Sequence, residues 1–272
     1  MLKLFYITKD PAVAVIAQNA GVDRIFADME YIGKEKRQPL MDTVKNHHTV
    51  EDVRRLRSVI DKAELLVRVN PIHEGSSQEI EAVLDAGADV IMLPMWRSVE
   101  EVAAFLRFVN GRAKTLLLLE TEEARCCLDS VLALNGIDEI HIGLNDLHLS
   151  QGKKNMFELL VDGVVDEIAA KIKERSIPFG IGGVGAVGKK LAIPAENVLA
   201  EHYRLGSSMA ILARAFCNTE LLQDYDEIKR VFEKGLRDIR AYESMLAEQD
   251  TVFFERMHGD LSARIHRITE EI

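Results

Sequence analysis

Short apolar runs rich in Val, Ile, Leu and Phe recur along the chain and are separated by longer amphipathic stretches. The runs are nearly continuous in apolar residues, which is typical of strands buried on both faces of a parallel sheet. They predict eight strands, at Leu2–Ile7, Arg24–Glu30, Glu64–Val69, Val90–Met95, Thr115–Glu120, Glu139–Asn145, Phe179–Gly183 and Arg204–Leu212.

The stretches between these runs have the periodicity of amphipathic helices. They predict helices at Pro11–Ala20, Val50–Ile60, Ser76–Ala86, Val99–Val109, Glu122–Leu134, Phe157–Arg175, Pro194–His202 and Glu220–Leu246. Eight alternating strand–helix units predict an α/β fold and favour a closed (β/α)8 TIM barrel, in which residues 1–272 form a single domain. A doubly wound open sheet is the alternative.

Three segments exceed what eight units need. A polar insertion at residues 31–49 and a loop at residues 146–156 follow strands 2 and 6, at the ends of the strands where barrel active sites are built. The tail, residues 247–272, is predicted to be a helical extension of the barrel. Because its apolar side chains need cover, we expect it to pack on a neighbouring subunit of a homo-oligomer.

Composition narrows the functional classes. The net charge of −10 gives no general field that attracts nucleic acid or an anionic membrane, so neither is an expected partner. No apolar run has the length of a membrane span, and the N-terminus predicts a strand rather than a signal peptide. Cys126, Cys127 and Cys217 lack zinc-site spacing and predict buried thiols in the cytoplasm.

Two acidic residues end neighbouring strands, Glu120 on strand 5 and Asp146 after strand 6. Two carboxylates this close repel each other unless a proton or a cation intervenes. Hard divalent cations take oxygen ligands, so the pair predicts a Mg²⁺ or Mn²⁺ site. The alternative is that one carboxylate caps a helix and the other pairs with a lysine.

Arg68 ends strand 3, where its guanidinium can hold a substrate carboxylate and offset the negative charge of an enolate. A structural ion pair with Asp28 or Glu30, across strands 2 and 3, is the other interpretation. The two roles are compatible.

Five motifs at successive strand ends carry a family resemblance. They are Asp28-x-Glu30, Arg68-Val-Asn70, Ala88-Asp-Val-Ile-Met-Leu-Pro94, Glu120-Thr121 and Gly143-x-Asn145-Asp146-Leu147. The set resembles the HpcH/HpaI aldolase and citrate lyase β-subunit family, whose barrels bind pyruvate or its enolate with Mg²⁺ or Mn²⁺. The resemblance implies that Glu120 and Asp146 hold the metal and that Arg68 contacts the 2-oxo acid. We expect four further motif residues to bind substrate: Glu30, Pro94, Gly143 and Asn145.

The resemblance also implies a mechanism and an assembly. A divalent metal acting as a Lewis acid would support cleavage of a carbon–carbon bond of a small 2-oxo acid, leaving a pyruvate enolate. Exchange of C-terminal helices between subunits would explain the surplus tail, in a dimer, trimer or hexamer.

The group that moves the proton is left open. Tyr31 stands where the aldolase branch has a histidine and the lyase branch an acid. Tyr31 and His48 are the candidate catalytic groups beside Arg68, with His47 and His48 alternatively a solvated turn. His141 is expected to be structural, whereas His148 could reach the barrel mouth.

A glycine-rich run from Gly180 to Lys190 matches two nucleotide-binding patterns only superficially. Lys190 occupies the position of the Walker serine or threonine, and the run does not open a helix, so no nucleotide is expected. Its amides and lysines could hold a substrate phosphate or carboxylate, or the run could be a tight turn.

Two other functions compete with the aldolase. One is an acyl-CoA lyase or thioesterase, in which basic loop residues would meet the CoA phosphates: Lys34, Lys36, Arg37, Lys189 and Lys190. The other is a catalytically weak barrel that acts as a binding or scaffold subunit.

Overall fold

The structure, a computed structural model, describes residues 1–33 and 48–271 of the chain. Its eight strands are parallel and close into a barrel in chain order, so β8 pairs with β1. The strands are β1 Lys3–Ile7, β2 Arg24–Asp28, β3 Glu64–Arg68, β4 Val90–Leu93, β5 Lys114–Leu119, β6 Glu139–Ile142, β7 Phe179–Val184 and β8 Met209–Leu212. The predicted TIM barrel is confirmed.

Helices on the outside of the barrel follow the strands. They are α1 Pro11–Ala20, α2 Val50–Arg57, α3 Ser76–Asp85, α4 Val99–Val109, α5 Glu122–Cys126, α6 Leu128–Val131, α7 Leu144–Ser150, α8 Val164–Glu174, α9 Ala195–Leu205, α10 Tyr225–Leu246 and α11 Thr251–Glu271, with a 3₁₀ turn at Met156–Leu160. Within the described residues, no helix combines the length and the apolar character that a membrane span requires.

The strands bury two separate cores because alternate side chains point to opposite faces. One core lies between the strands and the helices. The other fills the barrel and consists of Phe5, Phe26, Leu66, Val90, Met92, Leu116, Leu118 and Met209. Charged residues close this inner core at both ends: the Arg24 guanidinium lies over the Phe5 ring, and that of Arg68 lies over the Phe26 ring.

Several predicted boundaries are wrong. Strand 8 begins at Met209 rather than Arg204, because the preceding helix continues to Leu205 and ends at Gly206 in the left-handed conformation. Strand 6 ends at Ile142, so Asn145 and Asp146 lie in the first turn of α7.

Among the predicted helices, three differ most from the structure. The predicted helix Glu122–Leu134 is broken near Cys127, and only Val164–Glu174 of the predicted helix Phe157–Arg175 is α-helical. The last barrel helix starts at Tyr225 rather than Glu220, because the Asp224 side chain accepts backbone N–H groups as an N-cap.

The C-terminal helix α11 packs on α9 of the same chain. Leu261 and Ile265 are buried there, so part of its apolar face is covered without a second subunit. His258 also contacts the buried Glu201 of α9 at 2.9 Å. Packing of residues 247–272 on a neighbouring subunit stays a prediction.

The thiols depart from expectation. Cys217 is buried, but Cys126 is exposed and Cys127 half-buried, and all three are free. Adjacent residues on a helix point in different directions, so the pair could not both face the core.

Candidate active site

Inward-pointing side chains at the carboxyl ends of three strands meet at the mouth of the barrel. Asp28 lies two residues after Phe26, Arg68 two after Leu66, and Glu120 two after Leu118. Because the side chains of a strand alternate with period two, each of these polar groups sits directly above the inner core. The polar residues at the ends of these three strands therefore lie together at the mouth of the barrel, as the sequence predicts.

Arg68 is bound by two carboxylates from the end of β2. Its Nε and Nη2 atoms donate to the two oxygens of Asp28, both at 2.8 Å, and its Nη1 atom lies 3.3 Å from Oε2 of Glu30. Burial works against the charged form, but the charges of Asp28 and Glu30 outweigh it and raise the pKa of Arg68. The predicted ion pair across strands 2 and 3 is thus observed, with both acids as partners.

Glu120 is buried beside other acids. Only 3% of its surface is exposed, and its Oε1 atom accepts a hydrogen bond of 3.0 Å from the backbone N–H of Met95. Its pKa is raised well above the ordinary value, first by burial and then by the charges of Glu30 and Asp146, with Arg68 opposing. Negative charge at this position is costly without a cation.

Gly143 lies against Glu120. A Cβ atom at Gly143 would stand 2.9 Å from Cβ and 3.0 Å from Oε2 of Glu120, so only glycine leaves room for this carboxylate. The backbone N–H of Gly143 donates to the carbonyl of Leu119 at 2.8 Å, which fixes the turn leading to Asp146. Asn145 and Asp146 are half-buried in that turn, and Pro94 is buried beside Met95.

These residues fit a divalent cation. Carboxylate oxygens are the ligands that Mg²⁺ and Mn²⁺ prefer. The raised pKa of Glu120 means that its charged form is disfavoured, and a bound cation would stabilise that form. Within residues 1–33 and 48–271, no group of three or more His, Cys, Asp or Glu is arranged to hold a metal. Glu120 and Asp146 would therefore leave most of the coordination shell to water and substrate oxygens.

The two candidate proton-transfer groups are placed differently. The Tyr31 side chain is 57% exposed. His48 is buried; its Nδ1 atom accepts a hydrogen bond of 2.9 Å from the backbone N–H of Asp28, and the backbone N–H of His48 donates to the Asp28 carbonyl at 3.3 Å. A neutral imidazole that accepts at Nδ1 carries its proton on Nε2, so this contact favours a supporting role for His48.

Asn70 has a contact at the barrel mouth that its sequence pattern does not predict. The structure buries it and places its side-chain oxygen 3.0 Å from the backbone nitrogens of both Tyr31 and Ile32. Its position two residues beyond Arg68, at a strand end, was visible in the sequence. Its partner segment was not.

Two further predicted candidates, His141 and His148, each contact a backbone carbonyl group. His141 is fully buried inside the barrel, where burial lowers its pKa to about 4, as expected for a structural residue. His148 is buried in α7, with Nδ1 3.2 Å from the carbonyl of Leu144. His47 and the basic residues Lys34, Lys36 and Arg37 lie outside the described residues.

The glycine-rich run begins inside β7, which ends at Val184. Gly180 is required by packing, because a Cβ atom there would collide with the His141 ring and with Met209. The Lys189 ammonium donates to the carbonyl of Ala215 at 2.9 Å. These contacts give part of the run a structural role.

Comparisons with known proteins agree with this architecture. The sequence profile described as HpcH/HpaI aldolase/citrate lyase matches residues 2–159, which is more than half of the chain. No curated protein sequence matches the chain.

Solved structures share the fold. An HpcH/HpaI aldolase from Desulfitobacterium hafniense DCB-2 is similar with a TM-score of 0.63 and 17% identity, over 84% of this chain and 93% of that one. An HpcH/HpaI aldolase/citrate lyase family protein from Burkholderia cenocepacia J2315 gives 0.62 and 16%, over 84% and 95%. The citrate synthase SbnG gives 0.61 and 17%, over 84% and 92%.

Proposed function

The chain belongs to the HpcH/HpaI aldolase/citrate lyase family and is a lyase, and from this premise we propose that it is a divalent-metal-dependent aldolase acting on a pyruvate-type 2-oxo acid. The observation that carries the proposal is the burial of the Glu120 carboxylate among other charged groups. It is a buried carboxylate whose pKa is raised by burial, Glu30 and Asp146, and it faces the charge of Arg68.

Glu120 and Asp146 are the proposed metal ligands. A Mg²⁺ or Mn²⁺ ion bound there would supply Lewis acidity to the 2-oxo and carboxylate oxygens of the substrate. Gly143 supports this arrangement because it leaves the space that the Glu120 carboxylate occupies. The Met95 N–H holds the other oxygen of Glu120 and so fixes the orientation of the carboxylate.

Arg68 is proposed to bind the 2-oxo acid and to share the charge of its enolate. Asp28 occupies two of the five N–H groups of the guanidinium and holds its plane in place. A group held rigidly in this way stabilises developing charge without reorganising during the reaction. Glu30, Pro94 and Asn145 are proposed to line the same substrate site.

The reaction proposed is the cleavage of a 4-hydroxy-2-oxo acid. The hydroxyl proton is removed, the bond between C3 and C4 breaks, and the C4 fragment leaves as an aldehyde. The bonding electron pair remains on the three-carbon fragment as an enolate, which takes up a proton at C3 to give pyruvate. Tyr31, exposed at 57%, is the proposed group for the hydroxyl proton, and His48 is its rival.

A pair of measurements tests the proposal. Mn²⁺ binding is measured by calorimetry, and loss of the pyruvate methyl signal in D₂O with Mg²⁺ is followed by NMR, which reports enolate formation without any aldehyde. We expect both in the wild type and neither in the variant combining Glu120→Gln with Asp146→Asn. Mn²⁺ affinity that survives the double substitution contradicts the ligand assignment.

Two further arms of the experiment separate the rival functions. Release of pyruvate from a panel of 4-hydroxy-2-oxo acids supports the aldolase and defines its aldehyde. Thermal protection by CoA, with none by pyruvate, would instead support an acyl-CoA lyase or thioesterase. The cytoplasmic location and the homo-oligomeric state with exchanged C-terminal helices stay proposals, which fractionation and light scattering would test.

A further inference from the structure

Asn70 connects two segments at the mouth of the barrel. Its Oδ1 atom accepts hydrogen bonds from the backbone N–H groups of Tyr31 and Ile32, each at 3.0 Å. Tyr31 directly follows Glu30, which lies against Arg68. One side chain, 2% exposed, therefore fixes the chain at the point where it leaves the proposed substrate site.

Glu79, on α3, in turn holds Asn70. Its Oε1 atom accepts from the side-chain amide of Asn70 at 2.7 Å and from the backbone N–H of the same residue at 3.2 Å. Because the amide donates to Glu79, its oxygen is turned towards Tyr31 and Ile32. His73 lies 3.5 Å from the other oxygen of Glu79. The orientation of Asn70 is thus imposed by the outer helix layer.

We propose that Asn70 is a positioning residue of the active site: it holds the segment after Glu30 and thereby keeps the Glu30 carboxylate against Arg68. The role rests on the proposed function, because it matters for catalysis only if Glu30 and Arg68 bind the 2-oxo acid. The proposal gives Asn70 no direct role at Glu120 or Asp146. Loss of Asn70 should therefore affect the 2-oxo acid side of the site far more than metal binding, which Glu30 influences only through its charge on Glu120.

Gln18 provides a matched control at the opposite end of the barrel. It is also a buried side-chain amide that clamps a loop: its oxygen accepts the N–H groups of Asp61, Lys62 and Ala63, and its nitrogen donates to the carbonyl of Val59. Gln18→Ala should cost stability in the same way as Asn70→Ala while being remote from the mouth.

The first measurement is amide hydrogen exchange, which needs no activity. In Asn70→Ala, exchange of the Tyr31 and Ile32 amides should accelerate at least about tenfold, because their acceptor is lost. In Glu79→Gln, whose Oε1 atom still accepts, we expect less than about threefold. Unchanged exchange at both amides in Asn70→Ala would overturn the proposal.

The second measurement is kinetic. In Asn70→Ala, the pyruvate methyl exchange rate should fall at least about tenfold while Mn²⁺ affinity changes by less than about threefold, the separation expected when mainly substrate positioning is lost. Gln18→Ala should leave both unchanged. An equal fall in Gln18→Ala would show a general loss of stability and overturn the positioning role.

The two proposals fail distinguishably. A wild-type protein that neither binds Mn²⁺ nor exchanges pyruvate protons defeats the proposed function, whatever the amide exchange shows. If the wild type binds Mn²⁺ and exchanges pyruvate protons, and Asn70→Ala exchanges pyruvate protons at the wild-type rate, only the role of Asn70 is defeated.

Discussion

Gly143 and Glu120 are packed so closely that the glycine determines where the carboxylate can lie. A methyl group on Gly143 would stand 3.0 Å from Oε2 of Glu120, in a tighter contact than side chains normally make. The relationship joins the end of β5 to the turn after β6, the two places that supply the proposed metal ligands. The position of the Glu120 carboxylate thus explains why residue 143 is a glycine.

Gly143→Ala should weaken Mn²⁺ binding at least about tenfold, because the methyl group displaces Glu120 from its position. Calorimetry measures the affinity. Gly259→Ala is the control, since a Cβ there meets nothing within 4 Å and alanine favours the helix that contains it. Equal Mn²⁺ affinity in the Gly143 variant and in wild type would contradict the packing argument.

Glu120→Gln should stabilise the metal-free protein, increasingly so as the pH rises. The folded-state pKa of Glu120 is raised above its ordinary value of 4.5. The wild type therefore loses stability between pH 4.5 and the raised pKa, because in that range the carboxyl has lost its proton in the unfolded chain while the buried carboxyl still holds it. Thermal unfolding in EDTA across this range measures the difference between the two proteins. A difference independent of pH would contradict the assigned titration.

The same titration predicts the pH dependence of metal binding in the wild type. Protons compete with the cation for Glu120, so Mn²⁺ affinity should rise with pH through the raised pKa. Calorimetry at several pH values tests this.

The sequence was sufficient for the barrel and for the residues at its strand ends, because continuous apolar runs and strand-end polarity are local signals. Arg68 and Glu120 were found in this way. The role of Asn70 was not, since its partners Tyr31 and Ile32 lie 39 and 38 positions away. Long-range hydrogen bonds of a buried amide leave no periodic trace.

For the start of strand 8, the local sequence pattern predicts the wrong residue. Arg204 and Leu205 read as the start of an apolar strand, yet Arg204 binds Asp166 and Glu201 from within a helix. The tertiary ion pair with Asp166, the pair with Glu201 within the helix and the stop at Gly206 decide the boundary. The same limit applies to Asp146, which the sequence placed after a strand and the structure places in a helix.

Arg68→Lys should reduce the pyruvate exchange rate by about 10²–10³-fold. Lysine keeps the charge but cannot donate to both oxygens of Asp28 in a planar fork, so the cation loses its fixed orientation. Mn²⁺ affinity should stay within a few fold, which calorimetry checks. Simultaneous loss of Mn²⁺ binding would indicate a collapsed site rather than a lost catalytic contact.

Tyr31→Phe should lower carbon–carbon cleavage by at least about 10²-fold if the phenol moves the hydroxyl proton. His48→Asn, which keeps an acceptor close to the position of Nδ1, should cost less than about tenfold because the bond from the Asp28 N–H can persist. Pyruvate release from a 4-hydroxy-2-oxo acid measures both. The reverse order of effects would assign the proton to His48.

Arg24→Met should destabilise the protein by about 3–5 kcal/mol and leave the pyruvate exchange rate unchanged. Arg24 is fully buried at the end of the barrel opposite the site, where it bonds Glu139 and Glu64. Although burial opposes it, Arg24 holds the pKa of Glu139 below its ordinary value of 4.5. The stability difference from wild type should therefore be largest above pH 4.5 and shrink as the pH falls through the lowered pKa.

Denaturant unfolding at several pH values measures this difference. Arg112→Met, which breaks the exposed pair with Glu81, is the control and should cost far less stability than Arg24→Met, because solvent screens an exposed pair. A comparable loss in both variants would contradict the special weight given to the buried pair. A fall in the exchange rate of folded Arg24→Met would show that the two ends of the barrel are coupled.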